Sequence, residues 1–226
     1  MNDYEKVFSE LLIKQDDLNK LSTGNENYVF DLVTYNGKRI DYQLCFNMEL
    51  AEFIDSFDWK HWKKGSVDFE NAKMEVVDLL FFALSDFIVR KMNYARVSVS
   101  NDFFNVLNEK PAEKIDETSI IFFANKMFKS VDILTDVVRL AHNIGMSTDD
   151  LIELYKGKLV LNTFRMKNGY VDGTYKKIWN VKGRYFMKED NYILTDLMQE
   201  CPKWDFNSLY KKLESLYKLN KEARFV

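Results

Sequence analysis

Four carboxylates stand at spacings that could do chemistry. Glu49 and Glu52 lie three apart in Asn47-Met48-Glu49-Leu50-Ala51-Glu52-Phe53, and Glu75 and Asp78 lie three apart in Lys73-Met74-Glu75-Val76-Val77-Asp78-Leu79. In a helix, residues at i and i+3 project from one face, roughly 60° apart at about 100° per residue. Two such helices side by side would aim all four at one point. Hard oxygen donors in that number suit Mg²⁺, which keeps part of its octahedral shell for water and substrate phosphates.

The competing reading is a solvated acidic face, the ordinary fate of a single E-x-x-E or E-x-x-D. The neighbours of Asp78 weigh against it. Val76, Val77, Leu79, Leu80, Phe81 and Phe82 surround it in sequence, so Asp78 is expected to be shielded from water. A buried carboxylate is costly unless paired or metal-bound. Glu49 likewise borders Phe46, Leu50 and Phe53, whereas Asp55 falls on the opposite side and is expected to be solvated. A di-iron centre would want Glu-x-x-His pairs, and neither His61 nor His142 follows a Glu by three.

Lys158, Asn162 and Arg165 lie at i, i+4 and i+7, one stripe of one helix. A point charge, an amide donor and a planar fork together serve a polyphosphate well. Asn168-Gly169-Tyr170-Val171-Asp172-Gly173-Thr174-Tyr175-Lys176-Lys177-Ile178-Trp179 follows, with glycines that permit close backbone approach to a ligand. An ordinary basic helix face is the alternative. Neither G-x-x-x-x-G-K-[ST] nor G-x-G-x-x-G occurs, which excludes nucleotide sites of those kinds. Trp59 and Trp62 directly follow the first acidic segment. They could stack on a base or anchor a helix end in the core, and one of the two is expected to be such an anchor.

The elements that must position these groups read as helices. Apolar positions at Val7, Phe8, Leu11, Leu12, Leu18 and Leu21 mark a helix over residues 4–21, and Phe46, Leu50, Phe53, Ile54 and Phe57 mark another over 41–57. Residues 69–91 are apolar nearly all round, as in a buried helix. A further helix is expected over 119–143, one from the Ser147-Thr148-Asp149-Asp150 cap to about Lys167, and two short ones near 190–200 and 205–222. Ser22–Lys38 and Asn168–Gly183 are expected to be loops. Only 2 Pro and 8 Gly interrupt 226 residues, which supports this helical reading. The fold class expected is all-α, a helical bundle forming one domain over 1–226, with 92–118 a divergent insertion or connection and 184–226 added C-terminal helices.

A hydrophobic content of 46% argues against disorder, and a net charge of −3 gives no global reason for nucleic-acid binding. The longest apolar run, Val76–Val89, is broken by Asp78, Ser85 and Asp86, so no membrane span is expected. Cys45 and Cys201 have no metal-type spacing, and the N-terminus lacks the basic start and apolar stretch of a secretory signal. A reducing, cytoplasmic setting is expected.

Taken together, these segments resemble the dimeric, all-α dUTPases (dUTP diphosphatases), within the all-α nucleoside triphosphate pyrophosphatase superfamily that includes the MazG-type enzymes. The resemblance is carried by Met48–Phe57 running into Trp59-Lys60-His61-Trp62-Lys63, by Glu75-Val76-Val77-Asp78, and by Gly157–Arg165 with Asn168-Gly169-Tyr170 and Gly173–Trp179; Gln15 and Asn19 form a weaker block. These blocks keep the family's order and span roughly residues 11–180.

The resemblance implies that Glu49, Glu52, Glu75 and Asp78 ligate Mg²⁺ and that Gln15, Asn19 and Trp62 contact the deoxyuridine end. It assigns Lys158, Asn162, Arg165, Tyr170 and Lys177 to the nucleotide and its phosphates, and implies a homodimer. The implied reaction is dUTP to dUMP and pyrophosphate, with attack at the β phosphorus. Leu159 and Val171 depart from the pattern, each replacing a polar group. Two alternatives stand beside it: a relative with another base preference (dCTP or a damaged nucleotide), and a non-enzymatic nucleotide- or protein-binding helical module. Gln15 and Asn19 would in the blandest case be surface amides.

Overall fold

Most of the described helices begin on a side chain that accepts the backbone N–H three residues on, the bond that satisfies an otherwise orphaned donor of a first turn. Asp41 caps α3 (Tyr42–Asp55), Asp68 caps α4 (Phe69–Asn93), Ser100 caps α5 (Asn101–Val106), Asp116 caps α6 (Glu117–Met127) and Asp132 caps α7 (Ile133–Asn143). The caps of α3 and α4 fix where each helix starts, and so the phase at which its carboxylates emerge. The computed structural model describes residues 3–94 and 98–222. Within them, α1 (Asp3–Thr23), α2 (Tyr28–Asp31), α8 (Thr148–Lys167), α9 (Asp190–Glu200) and α10 (Phe206–Glu222) complete the helices, and β1 (Ile178–Val181) pairs antiparallel with β2 (Tyr185–Glu189) in the one sheet. The fold is all-α apart from that hairpin. No helix among the described residues is long and apolar enough to cross a membrane.

The chain groups into two compact units, Met1–Glu153 and Leu154–Val226, with the division inside α8. In the first, α4 is the axis: α1, α2, α3 and α7 all pack on it. Ala72, Val76, Val77, Leu79, Ala83 and Leu84 of α4 are fully buried, so the helix that reads as apolar all round is indeed enclosed. Asp68 N–H donates to the Ser56 carbonyl and Asn71 Nδ2 to Ser56 Oγ, which ties the end of α3 to the start of α4.

The second unit has an aromatic core. Phe164, Trp179 and Tyr217 meet at 5.1 to 6.1 Å between centroids, and Tyr175 stacks on Tyr217 at 4.9 Å. Gly157 lies in the interior of α8 with the Met198 side chain of α9 packed against it: a Cβ there would stand 2.3 Å from Met198 Sδ. Gly169 ends α8 with φ +92°, a left-handed conformation that only glycine adopts without strain. Asp190, the first residue of α9, is fully buried and accepts from Arg165 Nε at 2.9 Å, Arg165 Nη2 at 2.7 Å and Tyr175 OH at 2.7 Å.

Three expectations about elements change. The helix expected over 119–143 is two, α6 and α7, because Asp132 accepts from Thr135 N–H and Ser130 Oγ bonds Asp136, starting a new helix where apolar periodicity alone would have run on. The loop expected over 22–38 contains α2, which buries Tyr28 and Val29. The loop expected to run to Gly183 gives way at Ile178 to the hairpin, whose turn holds Gly183 at φ +78°. In the stretch 92–118, residues 95–97 lie outside the described residues and α5 occupies part of the rest.

Removing the carboxylate of Asp190 would leave Arg165 charged and buried. Asp190→Ala is therefore expected to destabilise the protein by about 3–5 kcal/mol, read as a lower urea midpoint together with loss of near-UV dichroism from the aromatic core.

Candidate active site

The two acidic helices carry the same spacing. Tyr42, Cys45, Glu49 and Glu52 on α3, and Glu75, Asp78, Phe82 and Ser85 on α4, each fall at offsets 0, 3, 7 and 10 along one helical face. The acids stand late in α3 and early in α4, so the helices must run oppositely for them to meet. They do: the Glu49, Glu52 and Glu75 carboxylates each place an oxygen within 4.8 Å of the other two, while at the far end the Tyr42 ring lies 6.4 Å from Phe82.

Burial within the acidic cluster is graded. Glu75 is buried, Glu49 and Asp78 are half-buried and Glu52 is exposed. The expectation that Asp78 is the shielded member is corrected: its apolar sequence neighbours occupy the other faces of α4, and Glu75 is the one enclosed. Burial first, then the charges of Asp78, Glu75 and Glu52 and a hydrogen bond with Glu75, push the Glu49 carboxyl up to about 8. A carboxylate this reluctant to ionise beside three others is what a hard cation relieves. The donor set, all carboxylate oxygen with one exposed side, fits a divalent ion that must also take phosphate.

At the opposite end of the stripe lies an amide network. Gln15 Nε2 donates to Asn19 Oδ1 at 2.9 Å and to Ser85 Oγ at 3.1 Å; Ser85 Oγ donates on to the Phe81 carbonyl at 2.8 Å. Asn19 Nδ2 donates to Tyr28 OH at 3.0 Å, and that hydroxyl to Asp16 at 2.8 Å. Gln15 and Asn19 are 2% and 3% exposed, which removes the reading of both as surface amides. Ser85 sits seven residues beyond Asp78, about 10 Å along α4. Between the two ends, burial, then Glu49 and Asp41, raises the pKa of the Cys45 thiol, which disfavours the nucleophilic thiolate.

Trp59 and Trp62 are both on the surface, 40% and 64% exposed. The expectation that one anchors the core is overturned because Phe53 and Phe57, 5.1 Å apart and buried, already fill the end of α3. The indoles pack edge-to-face on each other at 5.6 Å, with His61 against Trp62. Asp55 is exposed, as expected, and accepts from Trp59 Nε1 and Lys60 Nζ, both at 2.9 Å, bonds that lower its pKa.

In the second unit, Asn162, Arg165, Tyr170 and Lys177 come together. Arg165 Nη1 donates to Asn162 Oδ1 at 3.1 Å, and the Arg165 and Lys177 cations lie 6.0 and 5.7 Å from the Tyr170 ring. Lys158, nearer the start of α8, is 1% exposed. Arg165 is not the open charge that the stripe suggests: Asp190 engages it bidentately at 6% exposure, and Asn191 Oδ1 accepts from Nη2 at 3.0 Å. Sequence reasoning missed Asp190 and Asn191, along with Ser85 and Tyr28. The acid at the start of a helix was visible, but nothing local linked it to an arginine 25 residues earlier.

No curated protein matches the chain. The sequence model of the dUTPase family matches residues 7–170, most of the chain and all four carboxylates. Helical architecture, paired acids on α3 and α4 and this match agree, and the chain belongs to the all-α dUTPase family, as a dUTP diphosphatase.

Proposed function

We propose that the chain hydrolyses dUTP to dUMP and pyrophosphate, with Mg²⁺ held by Glu49, Glu52, Glu75 and Asp78, and that it works as a cytoplasmic homodimer. The carrying observation is the carboxylate cluster, in which three acids crowd within 4.8 Å and Glu49 is pushed up to about 8. When bound there, the cation supplies charge neutralisation on phosphate oxygens and acidifies water in its shell. Glu49, half-buried at the centre of the cluster, orients the attacking water and accepts its proton. Glu75, the enclosed member, holds the cluster's geometry, and Glu52 leaves the site open on its exposed side.

The amide network supplies the nucleoside end. Its donors and acceptors are fixed against one another before a ligand arrives, so little ordering is left for binding. Gln15 and Asn19 are assigned to the uracil or adjoining sugar, with Trp62 packing nearby. Lys158, Asn162, Tyr170 and Lys177 are assigned to the nucleotide and its phosphates. Arg165 is assigned a positioning role, since Asp190 already balances its charge and Asn162 is held by it.

The cluster generates three expected outcomes. Glu75→Gln removes one ligand charge at nearly constant volume; turnover should fall by more than the ~10–100-fold typical of losing even an outer partner of a metal ligand, with the fold intact by circular dichroism. Near wild-type hydrolysis would remove the metal assignment. The raised Glu49 carboxyl also makes stability pH-dependent. Between the ordinary glutamate range and about 8 the folded state holds a proton that the unfolded state has lost, so metal-free stability falls as pH rises through this window. Mg²⁺ should accordingly raise the melting temperature more at pH 8 than at pH 6; equal shifts would place the ion elsewhere.

Base selectivity tests the amides. A site matched to uracil leaves buried polar groups unpaired when cytosine enters, whereas rejecting the methyl of dTTP by shape is worth only ~10–200-fold. kcat/KM should favour dUTP over dCTP far more strongly than over dTTP, and Gln15→Ala should flatten the ranking. An unchanged ranking in that variant would take base recognition away from Gln15.

A further inference from the structure

Tyr42 opens the α3 stripe, seven residues and about 10 Å before Glu49. Its ring lies edge-to-face with Tyr28 at 6.3 Å and 87°, and tilted over the half-buried Phe82 at 6.4 Å and 34°. It therefore stands at the amide end of the stripe whose other end holds the carboxylates. The polar groups described around it are satisfied among their neighbours: Tyr28 OH donates to Asp16 and accepts from Asn19, and Asn19 accepts from Gln15. The phenol oxygen of Tyr42 is the exception. It is buried and has no protein hydrogen-bond partner. An unsatisfied buried hydroxyl carries a desolvation cost that folding tends to remove unless the group is used.

We propose that Tyr42 is a nucleoside-binding residue whose hydroxyl donates a hydrogen bond to a carbonyl oxygen of the uracil base. Resting on the proposed function above, it adds a contact outside the Gln15–Asn19–Ser85 circuit. A phenol both donates and accepts, but burial, together with the nearby Tyr28, Cys45 and Asp16, raises this one well above its ordinary range, so it remains a neutral donor at any working pH.

Tyr42→Phe separates this contact from a structural one, because it removes only the oxygen. The variant should melt at the same temperature or higher, since an unsatisfied group is gone. KM for dUTP and the inhibition constant of deoxyuridine should both rise, roughly 3- to 10-fold, the size of one neutral hydrogen bond. kcat and inhibition by pyrophosphate should be unchanged, since the lost contact touches neither the reacting phosphates nor their ligands. An unchanged deoxyuridine constant would overturn the proposal and leave the hydroxyl as a merely hydrated group. A lower melting temperature would do so too, by making Tyr42 structural. Wild-type protein that does not hydrolyse dUTP would instead defeat the underlying functional reading.

Discussion

Crowded like charge is the constraint around which the first unit is organised. Carboxylates brought within 4.8 Å of one another repel, and burial first, then that repulsion, lets Glu49 hold its proton well above the usual glutamate range. Folding has to supply the opposing force elsewhere. It does so by making α4 an axis packed by α1, α2, α3 and α7, whose buried Val, Leu and Ala side chains leave little freedom to relieve the repulsion by moving apart. Asp41 and Asp68 set the starting phase of the two helices, and Ser56 ties one to the next through Asp68 and Asn71. The repulsion is thus kept in place, and in the proposed function it becomes an affinity for a cation.

The second unit handles charge in the opposite manner. Arg165 and Asp190 cancel each other beneath an aromatic core, and the pair draws in Asn162, Asn191 and Tyr175. A buried pair of this kind is weak as a source of net stability but costly to break, which suits a role in fixing geometry. It holds Asn162 in place, and the Tyr170 ring lies close to both Arg165 and Lys177.

Much of this was legible from sequence, for a simple reason: helical spacing is local. The i, i+3 acids, the stripe of Lys158, Asn162 and Arg165 and most helix limits follow from periodicity and caps. What periodicity cannot reveal is which residue meets a given side chain across the fold. Ser85 and Tyr28 completing the Gln15–Asn19 circuit, Phe53 and Phe57 displacing the tryptophans to the surface, and Asp190 claiming Arg165 are all partners distant in sequence. The break between α6 and α7 was missed for a different reason. Ser130 and Asp132 carry a helix-start signal inside an otherwise apolar-periodic run, and the periodicity masked it. The hairpin at 178–189 escaped because β1 alternates burial over only four residues and β2 does not alternate at all, so neither stands out from a loop.

Gly157 and Met198 share a single small volume between α8 and α9. With 2.3 Å between a would-be Cβ at 157 and the methionine sulfur, the two positions are not free to drift separately. A side chain gained at 157 has to be met at 198, by a swing of the flexible methionine or by a shorter residue there, and a stiffer bulky residue at 198 fits best while 157 stays bare. In descendants of this sequence the two should change as a pair, and a chimera that takes α8 from one homologue and α9 from another would inherit a mismatched joint even where each helix is sound by itself.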